Sequence, residues 1–94
     1  MKTAQEKAEM LAISALGWMA GNEEVLGQFM NASGASADDL RSAAQDPAFL
    51  GGVLDFLMLE DAWVIGFCDA ENLPYDTPMR ARAALPGGDA MHWT

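Results

Sequence analysis

The 94-residue sequence has few of the side chains that most often carry out chemistry. It contains one cysteine, Cys68, and one histidine, His92, which lies close to the end of the sequence. A lone cysteine forms no disulfide within its own chain, and one Cys with one His falls short of the four nitrogen or sulfur ligands of a structural zinc site. Nucleophilic catalysis also needs a base beside the nucleophile. We therefore expect no catalytic residue, no metal site and no cofactor.

Positive charge is also scarce, because five Lys and Arg residues stand against fourteen Asp and Glu residues and give a net charge of -9. Direct binding to nucleic acid needs a basic face that displaces counterions, and this sequence offers too few cations to build one. The longest uncharged runs, residues 10–22 and 25–37, are shorter than the roughly 20 apolar residues that span a bilayer. We expect neither nucleic acid nor membrane as a direct partner.

The compartment and the number of domains follow from equally simple features. Glu6 and Glu9 interrupt the region where a signal peptide would need an apolar stretch, and a lone thiol is usual in a reducing compartment. We expect a cytoplasmic protein. A chain of this length, with 51% hydrophobic residues, can bury one core but cannot divide it. We predict one helical domain over residues 1–88 and a frayed tail over residues 89–94.

Signals for the start of a helix recur along the chain. Thr3 and Glu6 form a capping-box pattern that predicts a first helix over residues 5–20, which Gly21 ends as a left-handed stop. Further helix-start signals predict a second helix that ends near Gly34 and a third helix that ends near Gln45. Nine of the fourteen acidic residues lie at predicted starts, where helix dipoles and free N–H groups account for them without a ligand: Glu6, Glu23, Glu24, Asp38, Asp39, Asp46, Glu60, Asp61 and Asp76.

The stretch GGVLDFLMLEDAWVIGF, residues 51–67, is the most apolar part of the chain. Period-2 alternation is absent from it, so a strand is disfavoured. A helix beginning at Pro47 gathers six apolar residues on one face: Phe49, Leu50, Val53, Leu54, Phe56 and Leu57. After an acidic corner at Glu60 and Asp61, a fifth helix places Cys68 on its own apolar face, and Asn72 is a second left-handed stop.

These segments predict an all-α fold, a compact orthogonal bundle of five to six short helices around a central hydrophobic helix. Cys68 is expected to be a buried hydrophobe. Gly51 and Gly52 are expected to let a neighbouring helix approach closely. Arg80 and Arg82, on a last short helix that opens at Thr77-Pro78 and is ended by Pro86, are expected to face solvent near its C-terminus.

Three blocks of the sequence also resemble a known protein family: ALGWMAGNEEVLGQFM, SADDLRSAAQDPAFLGGVLDFLMLEDAWVIGF and LPYDTPMRARAALPGG. Together they are similar to the short alphaproteobacterial domain-of-unknown-function family numbered three-five-seven-two, and DPAFLGGVLDFL is the most specific part. The resemblance covers nearly the whole chain. It implies a compact helical protein of the bacterial cytoplasm without an assigned activity, so no family catalytic residues carry over.

The aromatic and methionine content favours a non-enzymatic protein–protein interaction module that could also self-associate. Three Trp, four Phe and seven Met in 94 residues are enough to leave part of this surface exposed, and Met and Trp are common at adaptable interfaces. The candidate interaction surface consists of Trp18, Met19, Met30, Met58 and Trp63.

Two other functions remain open from the sequence. The first is an acidic regulator that occupies a basic groove of a nucleic-acid-binding partner, which would need carboxylates in a continuous stripe. The second is a small apolar-ligand binder with a helix-lined pocket near Phe49, Phe56, Trp63 and Phe67, where only Asp55 and Tyr75 could supply polar groups.

Overall fold

The computed structural model describes residues 3–86, and within them the chain is entirely helical in its regular structure. Six helices follow one another: α1 (Ala4–Ala20), α2 (Glu23–Ser33), α3 (Ala37–Ala43), α4 (Pro47–Leu57), α5 (Asp61–Glu71) and α6 (Thr77–Ala83). The all-α prediction is confirmed. The predicted frayed tail lies outside the described residues.

Acidic residues begin these helices, as the sequence predicts. In α1 the Glu6 backbone N–H donates to Thr3 Oγ1 at 3.1 Å, and the Thr3 N–H donates to Glu6 Oε1 at 3.1 Å. Ser36 and Asp39 form a second capping box at α3, which lowers the pKa of Asp39 because its carboxylate accepts the Ser36 backbone N–H. All nine carboxylates singled out in the sequence lie at an N-cap or in a first turn.

The helix ends agree with the sequence at two positions and differ at two. Gly34 ends α2 where the sequence predicts and is left-handed (φ 74°), and the left-handed stop predicted at Asn72 (φ 56°) is confirmed. The prediction for Gly21 is wrong, because its φ is −84° and its N–H turns back onto the carbonyls of the last turn of α1. The third helix ends at Ala43 rather than near Gln45. A helix cannot continue through Asp46 (φ −97°, ψ 114°), because the residue before a proline is pushed toward extended backbone.

The core lies on both sides of α4. Leu50, Val53, Leu54 and Leu57 of α4 are at most 2% exposed. Helix α1 packs on α4 and α6, and α6 also contacts α4. The buried face of α1 consists of Ala8, Ala12, Ala15 and Met19. Three of these four buried residues are alanines, whose small side chains allow neighbouring helices to approach α1 closely.

Two glycines are positions where another side chain lies directly on a helix backbone. A Cβ on Gly66 of α5 would lie 2.9 Å from Trp18 Cζ2, and a Cβ on Gly51 of α4 would lie 3.0 Å from Arg82 Nη1. The close approach predicted at Gly51 is thus observed, although the Arg82 side chain and not a helix backbone makes it. The close approach predicted at Gly52 is wrong, because Gly52, like Gly27, has nothing within 4 Å of the position that a Cβ would take.

The different surroundings of Gly66 and Gly27 predict opposite effects of substitution by alanine on stability. Gly66→Ala should lower the free energy of unfolding by about 1–3 kcal/mol, because the new methyl overlaps the Trp18 ring. Gly27→Ala should raise it by about 0.5–1 kcal/mol, since Gly27 lies inside α2 with open space around it. Urea denaturation measures both changes. Equal effects of the two variants would contradict the close contact at Gly66.

Candidate functional site: two grooves on the helical bundle

An apolar groove of about 230 Å³ lies between α2 and α4. We call it the aromatic groove; its lining is Phe29, Ala32, Ser33, Phe49, Gly52 and Phe56. The Phe29 ring meets Phe49 edge-on at a centroid distance of 5.8 Å and Phe56 at 5.2 Å. The edge-on geometry is the favourable one for aromatic pairs, so the three rings hold one another in place.

Small residues keep this groove open. Ala32 and Ser33 lie in the last turn of α2, and the left-handed Gly34 ends the helix immediately afterwards. Across the groove, Gly52 provides no side chain that would fill it. A glycine inside a helix costs roughly 0.5–1 kcal/mol relative to alanine, and no contact within the fold accounts for Gly52.

The chain segment that builds the aromatic groove is acidic, although the lining of the groove is uncharged. Between Glu23 and Leu57, the segment that builds it, the sequence carries six carboxylates and one arginine, Arg41. Asp46 caps α4 one helical turn before Phe49. An apolar groove in such a segment attracts groups that are apolar and positively charged together.

A second groove, of about 420 Å³, lies between α1 and α6. We call it the α1–α6 groove; its lining is Ala4, Lys7, Ala8, Leu11, Thr77, Arg80, Ala81 and Ala84. Residues 3–86 contain four Lys and Arg side chains, and two of them, Lys7 and Arg80, line this one groove. Arg80 is exposed and lies 3.8 Å from Asp76 on its own helix.

Arg82 corrects the expectation that both arginines of α6 face solvent. Its side chain is 12% exposed, and its Nε donates to Asp55 Oδ1 at 2.7 Å, a contact that joins α6 to α4. Its Nη1 donates to the Pro86 carbonyl oxygen at 3.0 Å. Because the guanidinium lies on Gly51, the missing side chain there is what admits it. Asp55 therefore has a structural partner.

The remaining reactive groups are held in unreactive states. Cys68 is fully buried, as predicted, and burial, with the charge of Asp69 next, raises the pKa of its thiol. A thiol with a raised pKa stays protonated near neutral pH and is a poor nucleophile. The Tyr75 hydroxyl donates to Asp69 Oδ1 at 2.7 Å, and this hydrogen bond raises the pKa of Tyr75.

Of the five residues of the predicted interaction surface, one is fully buried and four are half-buried. Met19 is fully buried in the core, contrary to its assignment to a surface, because it continues the alanine face of α1. Trp18 is half-buried against Gly66 and the edge of Phe67. Met30 and Met58 are half-buried. Trp63 stacks on Phe56 at a centroid distance of 5.0 Å, and this places it behind the aromatic groove.

The predicted ligand pocket corresponds to the aromatic groove in part. Phe49 and Phe56 line the groove, whereas Phe67 is fully buried elsewhere in the core. Phe29, Ala32, Ser33 and Gly52 complete the lining and were missed. Gly52 carried the one usable signal, a glycine inside a helical pattern, which marks either a close approach or an open groove.

Residues 3–86 contain neither a helix that could span a bilayer nor a cluster of side chains that could hold a metal ion. None of the six helices is both long enough and apolar enough to span a bilayer. Over the same residues, no three His, Cys, Asp or Glu side chains lie together in a way that could hold a metal ion.

Six helices with α4 in the core, and two shallow grooves, define a small all-α domain. The family described as "Protein of unknown function (DUF3572)" matches residues 5–88, and the chain belongs to this family. The resemblance seen in the sequence is thereby confirmed. No curated protein and no solved structure matches the chain.

The Arg82–Asp55 pair predicts a measurable contribution to stability. Arg82→Met should lower the free energy of unfolding by about 1–3 kcal/mol, since it removes a largely buried charged hydrogen bond and leaves Asp55 without its partner. Arg80→Met is the matched control on the same helix and should change it by less than about 0.5 kcal/mol, because that arginine is exposed. Urea denaturation of both variants tests this, and similar losses would contradict a structural role for Arg82.

The state of Cys68 predicts slow alkylation. In the folded protein, iodoacetamide should modify Cys68 at least about a hundredfold more slowly than in urea-unfolded protein, because the reaction has to wait for opening of the core. Mass spectrometry over time gives both rates. Comparable rates would show an accessible thiolate and would contradict the buried position.

Proposed function

We propose that this protein is a non-enzymatic protein–protein interaction module, and that its aromatic groove binds the apolar side chains of a basic amphipathic segment of a partner protein. The observation that carries the proposal is a pre-formed groove lined by three phenylalanine rings, where the small residues Gly52, Ala32 and Ser33 leave an open apolar volume of about 230 Å³. Phe49 is half-buried, whereas Phe29 and Phe56 are buried, so Phe49 is the ring most accessible to a partner. Grooves between helices that receive apolar anchors are a recurring mode of peptide recognition.

The size of the aromatic groove favours side chains over a small molecule. Pockets for drug-sized ligands have volumes of roughly 300–1,000 Å³, and this groove holds about 230 Å³. One or two anchoring side chains fill such a volume, and the remainder of the partner segment then lies along α2 and α4. The apolar-ligand function is the less favoured alternative on this ground.

Charge favours a basic partner. The segment that builds the aromatic groove carries six carboxylates and one arginine. Five of these six carboxylates lie at the starts of three different helices, and the sixth, Asp55, is bonded to Arg82. We expect the five to act as a field that steers a basic segment, while the phenylalanine-lined groove supplies the contact. In the alternative acidic-regulator function, the carboxylates themselves would make the contact with the partner.

The absence of catalysis is part of the proposal. It is supported by the states of the reactive groups, since the Cys68 thiol is buried and the Asp55 carboxylate is bonded to Arg82. The Tyr75 hydroxyl is likewise bonded to Asp69. None of these three groups lines either groove.

A peptide-display library selected on the purified protein tests the proposal. We expect selected peptides to be basic and to carry aliphatic or aromatic anchors at helical spacing. Gly52→Leu should weaken their binding at least about tenfold, because a side chain at this position occupies the groove. Binding should also weaken as salt increases, since part of the attraction is electrostatic.

Gly27→Leu is the matched control, because Gly27 also lies inside an exposed helix with open space but does not line the groove. It should leave peptide binding unchanged. Amide chemical-shift mapping should place the peptides on α2 and α4. Selected peptides without net positive charge, or peptides that bind the Gly52→Leu variant as tightly as the parent, would contradict the proposal.

A further inference from the structure

The α1–α6 groove is unused by the function proposed above, and it has the opposite charge character. Its floor is apolar, with Leu11 and four alanines, and Lys7 and Arg80 contribute positive charge to its lining. Of the other two cations in residues 3–86, Arg82 is bonded to Asp55, and Arg41 lies on α3 and lines neither groove. The groove is therefore the one place in the described chain where cations and an apolar floor coincide.

The α4–α5 corner presents the complementary features. Leu59 is 71% exposed, more than any other large hydrophobic side chain in residues 3–86. Glu60 and Asp61 follow it directly, and both are exposed. Glu60 occupies the N-cap position of α5, yet its side chain makes no capping hydrogen bond. The Leu59 side chain is thus exposed beside two carboxylates, and one of them, Glu60, makes no capping hydrogen bond.

We propose that this chain self-associates by docking the Leu59 corner of one copy into the α1–α6 groove of a second copy. Leu59 enters the apolar floor against Leu11, while Glu60 and Asp61 approach Lys7 and Arg80. The Arg80 guanidinium is available for this contact, because its 3.8 Å pairing with Asp76 is between exposed groups and is weak.

The net charge of the chain selects this contact over others. Two copies that each carry a charge of -9 repel one another in most orientations. Orientations that bring acidic groups of one copy to the α1–α6 groove of the other replace repulsion by attraction. Each contact joins two different patches. The assembly therefore closes either when two copies dock reciprocally, as a dimer, or when several copies dock head to tail in a ring. It also leaves the aromatic groove free.

Sedimentation velocity over a concentration series tests the proposal. The average mass of the parent protein should rise with concentration. Leu59→Ala, Lys7→Glu and Glu60→Lys should each weaken self-association at least about tenfold. Lys7→Glu combined with Glu60→Lys in one chain should recover association, since the exchanged charges face each other again. Circular dichroism verifies that all variants are folded.

Mixing the two single variants gives the decisive result. The Lys7→Glu and Glu60→Lys proteins should associate with each other more strongly than either does with itself. Arg41→Glu and Glu71→Lys are matched charge reversals at exposed positions outside both patches, and they should lack this mutual rescue. A parent protein that stays monomeric, or an association that survives Leu59→Ala and shows no rescue, overturns the proposal. Neither result bears on Gly52 and the aromatic groove, which are tested separately.

Discussion

Burial of the apolar face of α4 is the constraint on which the rest of the structure depends. An isolated helix of eleven residues is marginal in water, so α4 forms only as its neighbours cover it. The alanine face of α1 covers one side of α4, and α6 covers another. Among residues 3–86, α4 contributes five of the fourteen buried hydrophobic residues, more than any other helix, whereas three of the four from α1 are alanines. Substitutions that enlarge this α1 face therefore affect every helix that depends on α4.

Short helices explain why the chain is acidic. Each of the six helices begins with a carboxylate at its N-cap or in its first turn, where the helix dipole and free N–H groups favour negative charge by about 0.3–1 kcal/mol. Much of the net charge of -9 is thus a consequence of building a small domain from many starts. The resulting negative electrostatic field acts at a distance. The carboxylates that stabilise the helix starts therefore also influence which partners can approach.

Local signals predicted the elements well, and the sites poorly. The capping boxes at Thr3 and Ser36 and the left-handed Asn72 depend on residues within four positions of one another, so the sequence displays them directly. Met19 and Arg82 were misplaced because their environments come from helices distant in the chain. For Arg82, the partner Asp55 lies 27 residues away, and no periodicity within α6 indicates which face meets α4.

The two grooves were harder to predict than the helices, because small side chains, or none, leave the space that forms them. Hydrophobic patterns report the large side chains that fill a core, and they correctly placed Phe49 and Phe56 on one face of α4. They do not report that the space beside Gly52 is open, since a glycine in the sequence looks the same whether a neighbouring side chain or solvent lies against it. On α4 the two cases lie side by side: Gly51 is filled by the Arg82 guanidinium, and Gly52 is left open. Packing against neighbouring helices stabilises α4 despite the free-energy cost of its two glycines. The same packing allows α4 to line an open groove while it remains helical.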